Sequence, residues 1–227
     1  MIKKIKYLSQ AIIIYLFFLI SKMIGIRLSR KLFPSLFCFI GPLFKSKKII
    51  KKNLELVSSN FPELNKDKII DNMWRNYGMT FIEYIFLKYL SETIKEIKIK
   101  KKENIENLIK NGKPVIFVSG HFANFELMSM TITHNDIKLA TIYRPLNNIF
   151  INPLMEYLRK KYVCKNQIKK GVNGVRHAIE YLKKNHCIAL MVDQRVREGE
   201  KVPFFNHLAS STTIPAQFIK KYGCDLV

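Results

Sequence analysis

The residues best suited to chemistry lie in the segment 114–126, which reads Pro-Val-Ile-Phe-Val-Ser-Gly-His-Phe-Ala-Asn-Phe-Glu. Its apolar run predicts a strand over 115–119, with His121 in the turn that follows and Glu126 five residues later. A histidine at a strand end is placed to accept a proton, and a nearby carboxylate can orient the ring and stabilise the imidazolium. The segment therefore predicts a general base, His121, partnered by Glu126.

Backbone geometry limits how these two side chains can meet. Five residues along a continuous helix correspond to a rotation of about 140°, so His121 must lie in the turn before a helix and Glu126 on its first turns. Gly120 permits such a turn. Asn124 can cap the helix, with its N-terminal amides near the reacting atoms. Taken alone, a histidine and a glutamate at this spacing fit a structural turn equally well.

The elements that must position these residues alternate along the chain. Apolar runs predict strands over 115–119, 138–143, 163–167 and 187–192, and a further strand beginning at 224. Helical patterns lie near 124–133, 148–161, 173–185 and 213–222, preceded by helices over 65–85 and 103–110. This alternation predicts an α/β fold with a mostly parallel central sheet covered by helices.

In such a sheet, ligands bind beyond the carboxyl ends of the strands. His121, Arg144 and Asp193 each follow a predicted strand end, so the sequence predicts that they converge on one edge. The Arg144 guanidinium can bind a phosphate or a developing oxyanion, but it also fits an ordinary surface cation. Asp193 can bind a polar substrate group, or it can pair with Arg195 or Arg197.

Composition restricts the partners. The formal net charge is +22, with 48% hydrophobic residues and 12 basic residues but no acidic one between Met1 and Lys52. An anionic bilayer, an acidic carrier and nucleic acid all suit this charge. No nucleic-acid-binding motif accompanies it, so nucleic acid is the weaker interpretation. The spacing of the cysteines and histidines predicts neither a metal site nor a disulfide framework.

The first part of the chain is apolar between its charges. The stretch from Tyr7 to Ile26 approaches the ~20 residues that a membrane span requires, and no small-residue cleavage site follows it. A second stretch, Leu32–Phe44, contains Pro34 and Gly41-Pro42, which disfavour a straight helix. We therefore predict a membrane-anchoring region over 1–48, spanning or lying in the membrane plane, and an α/β domain over 49–227. Two core helices are the alternative.

Three motifs in register resemble one family: Ser-Gly-His-Phe-Ala-Asn-Phe-Glu at 119–126, Tyr-Arg-Pro-Leu-Asn-Asn at 143–148, and Asp-Gln at 193–194 followed by Val-Pro-Phe-Phe at 202–205. Their order and spacing resemble the late lauroyl/myristoyl-type lipid A biosynthesis acyltransferases, whose fold is like that of the glycerolipid acyltransferases. The glycerol-phosphate branch typically has Asp five residues after the histidine, so Glu126 favours the lipid A type. Members commonly have Gly and Trp where this chain has Ala123 and Phe125.

The resemblance implies His121 as the base and Glu126 as its partner, with Arg144 and Asp193 as further active-site residues. We predict that Arg144, Asp193 and Asn124 bind substrate. It implies transfer of a fatty acyl chain from acyl carrier protein, or from coenzyme A, to a hydroxyl of a lipid A precursor. No cofactor beyond the acyl thioester co-substrate is implied. The reaction would occur among membrane lipids at the cytoplasmic face of the inner membrane.

Other interpretations remain open at this stage. Relatives continue past the position of Val227, so the resemblance implies a chain that is incomplete at its C-terminus and a truncated, inactive membrane-associated protein as one alternative. Another is an acyltransferase for a glycerophospholipid, an aminolipid or a glycolipid. A third is a non-catalytic basic protein. Val202–Phe205 predicts either a wall for the acyl chain or core packing.

Overall fold

The computed structural model describes residues 2–44, 47–58, 60–100, 103, 112–197 and 199–227. Its strands are β1 Val115–Ser119, β2 Leu139–Tyr143, β3 Asn166–Lys169, β4 Cys187–Met191, β5 Glu200–Phe204, β6 His207–Ser211 and β7 Asp225–Leu226. Its helices of six or more residues are α1 Ile2–Phe44, α2 Lys47–Ser58, α3 Lys66–Glu83, α4 Leu87–Glu92, α5 Glu126–His134, α6 Asn152–Tyr162, α7 Val172–Lys183 and α8 Ile214–Tyr222. Apart from Glu103, the predicted helix over 103–110 lies outside the described residues.

The predicted α/β fold is confirmed. Five strands form a sheet in the order β3-β2-β4-β1-β7, and each neighbouring pair is parallel. Alternate residues of a strand face opposite sides, so Phe117 packs towards α5 and α6 whereas Ile116 packs towards α7 and α8. Because helices cover both faces, the central strands are apolar on both sides, which is why they read as continuous apolar runs.

The third strand begins later than predicted. Val163 and Cys164 are buried, but both backbone amides donate to the carbonyl of Arg159 and so extend the end of α6. The strand consequently starts at Asn166. Val163 and Cys164 are therefore apolar because they are buried at the end of α6, and not because they belong to a strand.

Helix α1 bends back on itself at Gly25. Gly25 has φ 78° and ψ 166°, a conformation that is essentially restricted to glycine. In a straight helix, Phe18 and Phe37 would be about 28 Å apart, yet their rings lie 5.2 and 5.1 Å from the ring of Phe81. The Ser29 hydroxyl donates to the Gly25 carbonyl at 2.8 Å and so satisfies a group at the bend.

We predicted that the helix is interrupted at the prolines of this region, and that position is wrong. Pro34 and Pro42 both lie inside the helix, and the break occurs at Gly25. Packing against α3 accounts for this, because Phe33 is buried beside Phe81 and holds the second half of α1 in place. By length and composition α1 could cross a membrane, although core helices and signal sequences meet the same criteria.

Strands β5 and β6 form a separate antiparallel hairpin that the sequence did not predict. It leaves the carboxyl edge of the sheet after β4, and every residue of β5 is exposed. Val202–Phe204 therefore lie outside the core, and they are not among the residues that line the cavity described below. The sequence pattern did not indicate this hairpin because Pro203 disfavours a strand and no glycine marks the turn.

Candidate active site

The pairing of β1 with β4 determines the centre of the site. Ser119 pairs with Met191 across these parallel strands, and two residues further along each strand lie His121 and Asp193. The two side chains therefore face each other beyond the carboxyl edge of the sheet. Arg144 directly follows β2, which pairs with β4 on its other side. The predicted convergence of these three residues on one edge is confirmed.

Asp193 holds His121 at two points. One carboxylate oxygen accepts from the His121 backbone amide at 2.8 Å, and the other lies 2.7 Å from the ring Nδ1. A carboxylate only accepts, so Nδ1 carries the proton, and in the neutral ring this leaves the lone pair on Nε2. Burial alone would raise the pKa of Asp193, but these hydrogen bonds from His121 together lower it below its ordinary value. Asp193 is therefore ionised at neutral pH.

This contact corrects two predictions. The carboxylate beside the His121 ring belongs to Asp193 and not to Glu126, because strand register brings position 193 opposite position 121. Asp193, for its part, pairs with His121 and not with Arg195 or Arg197. Which strand neighbours β1 is a long-range property, so the local spacing of His121 and Glu126 favoured the wrong partner.

Glu126 lies in a buried ion pair on the first turn of α5. Its carboxylate accepts from Nε of Arg159 at 2.7 Å and from the hydroxyl of Tyr84, and Arg159 also donates to Tyr84 at 2.7 Å. Burial raises the pKa of Tyr84, and the charge of Glu126 raises it further. Burial alone would lower the pKa of Arg159, but the charge of Glu126 raises it overall. Arg159 thus stays charged beside the Glu126 carboxylate.

Sequence reasoning missed Arg159 and Tyr84. Arg159 stands in an Arg-Lys-Lys run at the end of α6, where basic residues are ordinary, and nothing local separates it from its neighbours. Tyr84 follows α3 in a short 3-10 helix. Only the packing of α3, α5 and α6 together brings these groups to Glu126.

Asn124 lies two residues before α5, next to the N-cap residue Phe125, and its amide is engaged on both sides. Its oxygen accepts from the Glu126 backbone amide at 3.2 Å, and its nitrogen donates to Glu83 at 2.7 Å. Glu83 in turn accepts from Nε of Arg30 at 2.7 Å. Asn124 is absent from the cavity lining, so the prediction that it binds substrate finds no support in this arrangement. The amides of Glu126, Leu127 and Met128 are also occupied within the turn.

The turn that carries His121 is tightly constrained. A Cβ at Gly120 would lie 2.8 Å from the exposed Phe122 ring and 3.3 Å from the Asp193 carboxylate, so a larger residue would crowd the carboxylate that holds His121. Ala123 has φ 42°, a left-handed conformation that glycine adopts without strain. Phe125 packs edge-on against the His121 ring, with centroids 4.7 Å apart. These contacts fix the imidazole orientation.

A cavity of about 380 Å³ opens beside this turn. His121, Glu126, Arg144 and Arg159 all line it, together with Lys170 from the end of β3. Arg144 makes no hydrogen bond or ion pair with the described part of the chain, so its guanidinium is available to a ligand. Within the described ranges, no group of three or more His, Cys, Asp and Glu side chains is placed to hold a metal ion.

A half-exposed histidine with its Nδ1 held by an ionised aspartate, at the rim of a cavity with an uncommitted arginine, is suited to removing a proton from a hydroxyl group. Such a site on a parallel sheet is compatible with group transfer to a hydroxyl. Comparison with known proteins agrees. The chain matches the bacterial lipid A biosynthesis acyltransferase model over residues 2–227, and it belongs to that family.

Two curated relatives illustrate the similarity. The chain is 28% identical over 182 residues to a lipid A biosynthesis palmitoleoyltransferase of Escherichia coli (strain K12), covering 74% of this chain and 58% of the relative. The same figures hold for a lipid A biosynthesis acyltransferase of Shigella flexneri. The chain thus matches a little over half the length of each relative.

Proposed function

We propose that this site transfers a fatty acyl group from a thioester to a hydroxyl of a lipid A precursor. The observation that carries the proposal is the free Nε2 of His121, which lines the cavity while Asp193 holds Nδ1. Family membership supports the reaction class and the lipid A acceptor.

The reaction follows from this arrangement. Nε2 of His121 accepts the acceptor's hydroxyl proton as the oxygen attacks the thioester carbonyl, and Asp193 stabilises the imidazolium that forms. The tetrahedral intermediate collapses by breaking the C–S bond, and the leaving thiolate takes the proton from Nε2. An ester and a free thiol result, and the histidine returns to its starting state.

Arg144 supplies positive charge where negative charge develops. Its unpaired guanidinium, next to Lys170 at the cavity, can stabilise the oxyanion or bind an acceptor phosphate. In this proposal Glu126 keeps a different role from the predicted one, because it neutralises Arg159 in the cavity wall. The donor is acyl carrier protein, whose acidity suits the strongly basic chain, with acyl-coenzyme A as the other thioester source.

A direct assay tests the function. Full-length protein, acyl carrier protein charged with a radiolabelled fatty acid, and a tetra-acylated, phosphorylated glucosamine disaccharide should yield a more acylated lipid. Glycerol-3-phosphate, lysophospholipid and an aminolipid serve as matched acceptors. Acylation of one of these alone would contradict the lipid A acceptor, and no transfer to any acceptor would contradict the enzyme activity.

We also propose that α1 holds the protein at the cytoplasmic surface of the inner membrane by lying in the membrane plane. Its first half contacts the α/β domain along its length: Asn148 donates to the Tyr7 carbonyl, Tyr15 donates to the Phe150 carbonyl, and Phe18 packs on Phe81. The opposite side is apolar and exposed. Such a helix, covered by protein on one side, is suited to in-plane insertion.

Removing this apolar face should release the protein. Ile12, Leu16 and Leu19 are 51–59% exposed, and changing all three to Gln is expected to lower the membrane partition coefficient by about a hundredfold or more. Sedimentation with inner-membrane vesicles measures this. Because buried Phe18 is retained, circular dichroism should be unchanged. A variant that sediments like the parent would refute the in-plane contact.

A further inference from the structure

Among the described residues, most of the β5–β6 hairpin is exposed. Its base lies beside the cavity, where the Val196 amide donates to the carbonyl of Ser210. Phe204 is 62% exposed and Leu208 is 69% exposed. A two-stranded hairpin alone is marginally stable in water. One that also exposes large apolar side chains is expected to bind a second surface.

Cross-strand pairing places the apolar side chains on both faces of the ribbon. Phe204 pairs with His207, so these two share one face, whereas Leu208 pairs with Pro203 on the other. A folded protein partner would cover one face and leave the other in water. A bilayer surrounds an inserted tip on both faces, so this arrangement favours lipid.

The turn is strained because a bulky aromatic residue, Phe205, occupies a left-handed backbone position. Phe205 and Asn206 have φ values of 48° and 61°, which is the left-handed pair of a tight hairpin turn. Asparagine tolerates this conformation, but a bulky residue in it is an outlier. The Phe205 ring packs 4.5 Å from Phe204 and 5.7 Å from Phe61, centroid to centroid. Phe205 is half-buried by these rings, and strain held at an aromatic residue of the tip points to a use for it.

Basic charge lies next to the tip. Phe61 is 48% exposed and follows α2 closely. On α2, Ile49 and Leu56 are exposed seven residues apart and therefore lie on the same side of the helix. Lys48, Lys51 and Lys52 of α2 and Lys201 of β5 are exposed as well. This combination of apolar residues and lysines is complementary to an anionic lipid surface.

We propose that the hairpin tip, formed by Phe204, Phe205 and Leu208, inserts into the interface of an anionic bilayer beside Phe61 and α2. It is a second membrane contact, separate from α1, and it rests on the membrane association proposed above. Two contacts fix the orientation of the protein as well as its attachment. The cavity at the hairpin base is thereby held at a fixed distance from the lipid surface.

Tryptophan fluorescence tests the insertion. The chain has one tryptophan, Trp74, which is 6% exposed and gives a constant background. Full-length Phe204→Trp protein is mixed with vesicles of phosphatidylethanolamine and phosphatidylglycerol that contain brominated lipids. We expect a blue shift and quenching of its emission. Tyr89→Trp is the control, since Tyr89 is 45% exposed on α4, whose neighbour Ser91 contacts His134 at the opposite edge of the sheet.

Two further variants and one control separate insertion from folding. Phe204→Ser/Leu208→Ser should reduce vesicle binding by about tenfold or more, the scale expected for losing large buried apolar groups. Phe205→Asn relieves the turn and should preserve or raise thermal stability while it weakens vesicle binding. Tyr89→Ser/Tyr157→Ser removes exposed rings elsewhere and should bind vesicles like the parent.

The outcomes are distinct. Vesicle-bound protein whose Phe204→Trp emission is neither shifted nor quenched would overturn the proposal. A shift produced by acyl carrier protein without vesicles, and not by vesicles, would also overturn it and would assign the surface to the carrier. Quenching in a protein without acyl-transfer activity would support the membrane contact while refuting the proposed function.

Discussion

Replacing Asp193 by asparagine is expected to lower kcat for acyl transfer by about 10²-fold, with KM changed little. An asparagine amide can donate to Nδ1 and thereby favour the tautomer in which Nε2 carries the proton, so the base is lost at the start of the reaction. The Asp193 side chain is 40% exposed, so the effect should be smaller than in a buried triad. Steady-state kinetics with the carrier thioester measures it.

Four companion variants test the assignment of the base. His121→Ala should lose about 10²–10⁴-fold in kcat, and combining it with Asp193→Asn should add little, because the two residues act as a unit. Glu92→Gln removes an exposed carboxylate on α4 and should retain full activity. If Glu126→Gln lost as much kcat as Asp193→Asn while remaining equally stable, Glu126 would be the functional partner of His121 after all.

Replacing Glu126 by alanine is expected to destabilise the protein by about 3–5 kcal/mol. The change leaves the Arg159 guanidinium charged and nearly buried, with only the neutral Tyr84 hydroxyl beside it. Urea or thermal unfolding of the purified protein measures the loss. Any fall in activity should follow the fraction of unfolded protein.

One matched control removes both charges of the buried ion pair, and a second breaks an exposed ion pair elsewhere. Glu126→Leu combined with Arg159→Met fills a similar volume without a buried ion and should recover most of the stability. Asp71→Ala breaks the exposed pair with Arg75 and should change stability little. A fully stable Glu126→Ala protein would contradict the structural role assigned to this ion pair.

Local pattern was sufficient for β1, β2 and β4 and for the edge at which the site lies. β1 has the predicted bounds, because a short apolar run followed by Ser119-Gly120 defines both its core and its end. The positions of His121, Arg144 and Asp193 after their strands followed directly from that pattern. Parallel topology then placed them on one edge.

Pairings between distant segments could not be derived in this way. Nothing in the sequence specifies that β4 and not β2 neighbours β1, and that choice makes Asp193 the partner of His121. The same holds for Arg159, which reaches Glu126 from 33 residues away. Helix α1 shows a further limit. Because Phe33 packs on Phe81, the helix continues past Pro34, and its break lies at Gly25 instead.

The hydrogen bonds from Arg30 to Glu83 and from Asn124 to Glu83 join the second half of α1 to the turn that holds His121. A shortened protein that begins beyond residue 30 would retain every side chain in the cavity. It would nevertheless lack the cation that pairs with Glu83, the residue that accepts the hydrogen bond from Asn124. Trimming the N-terminal helix to improve solubility therefore carries a catalytic risk.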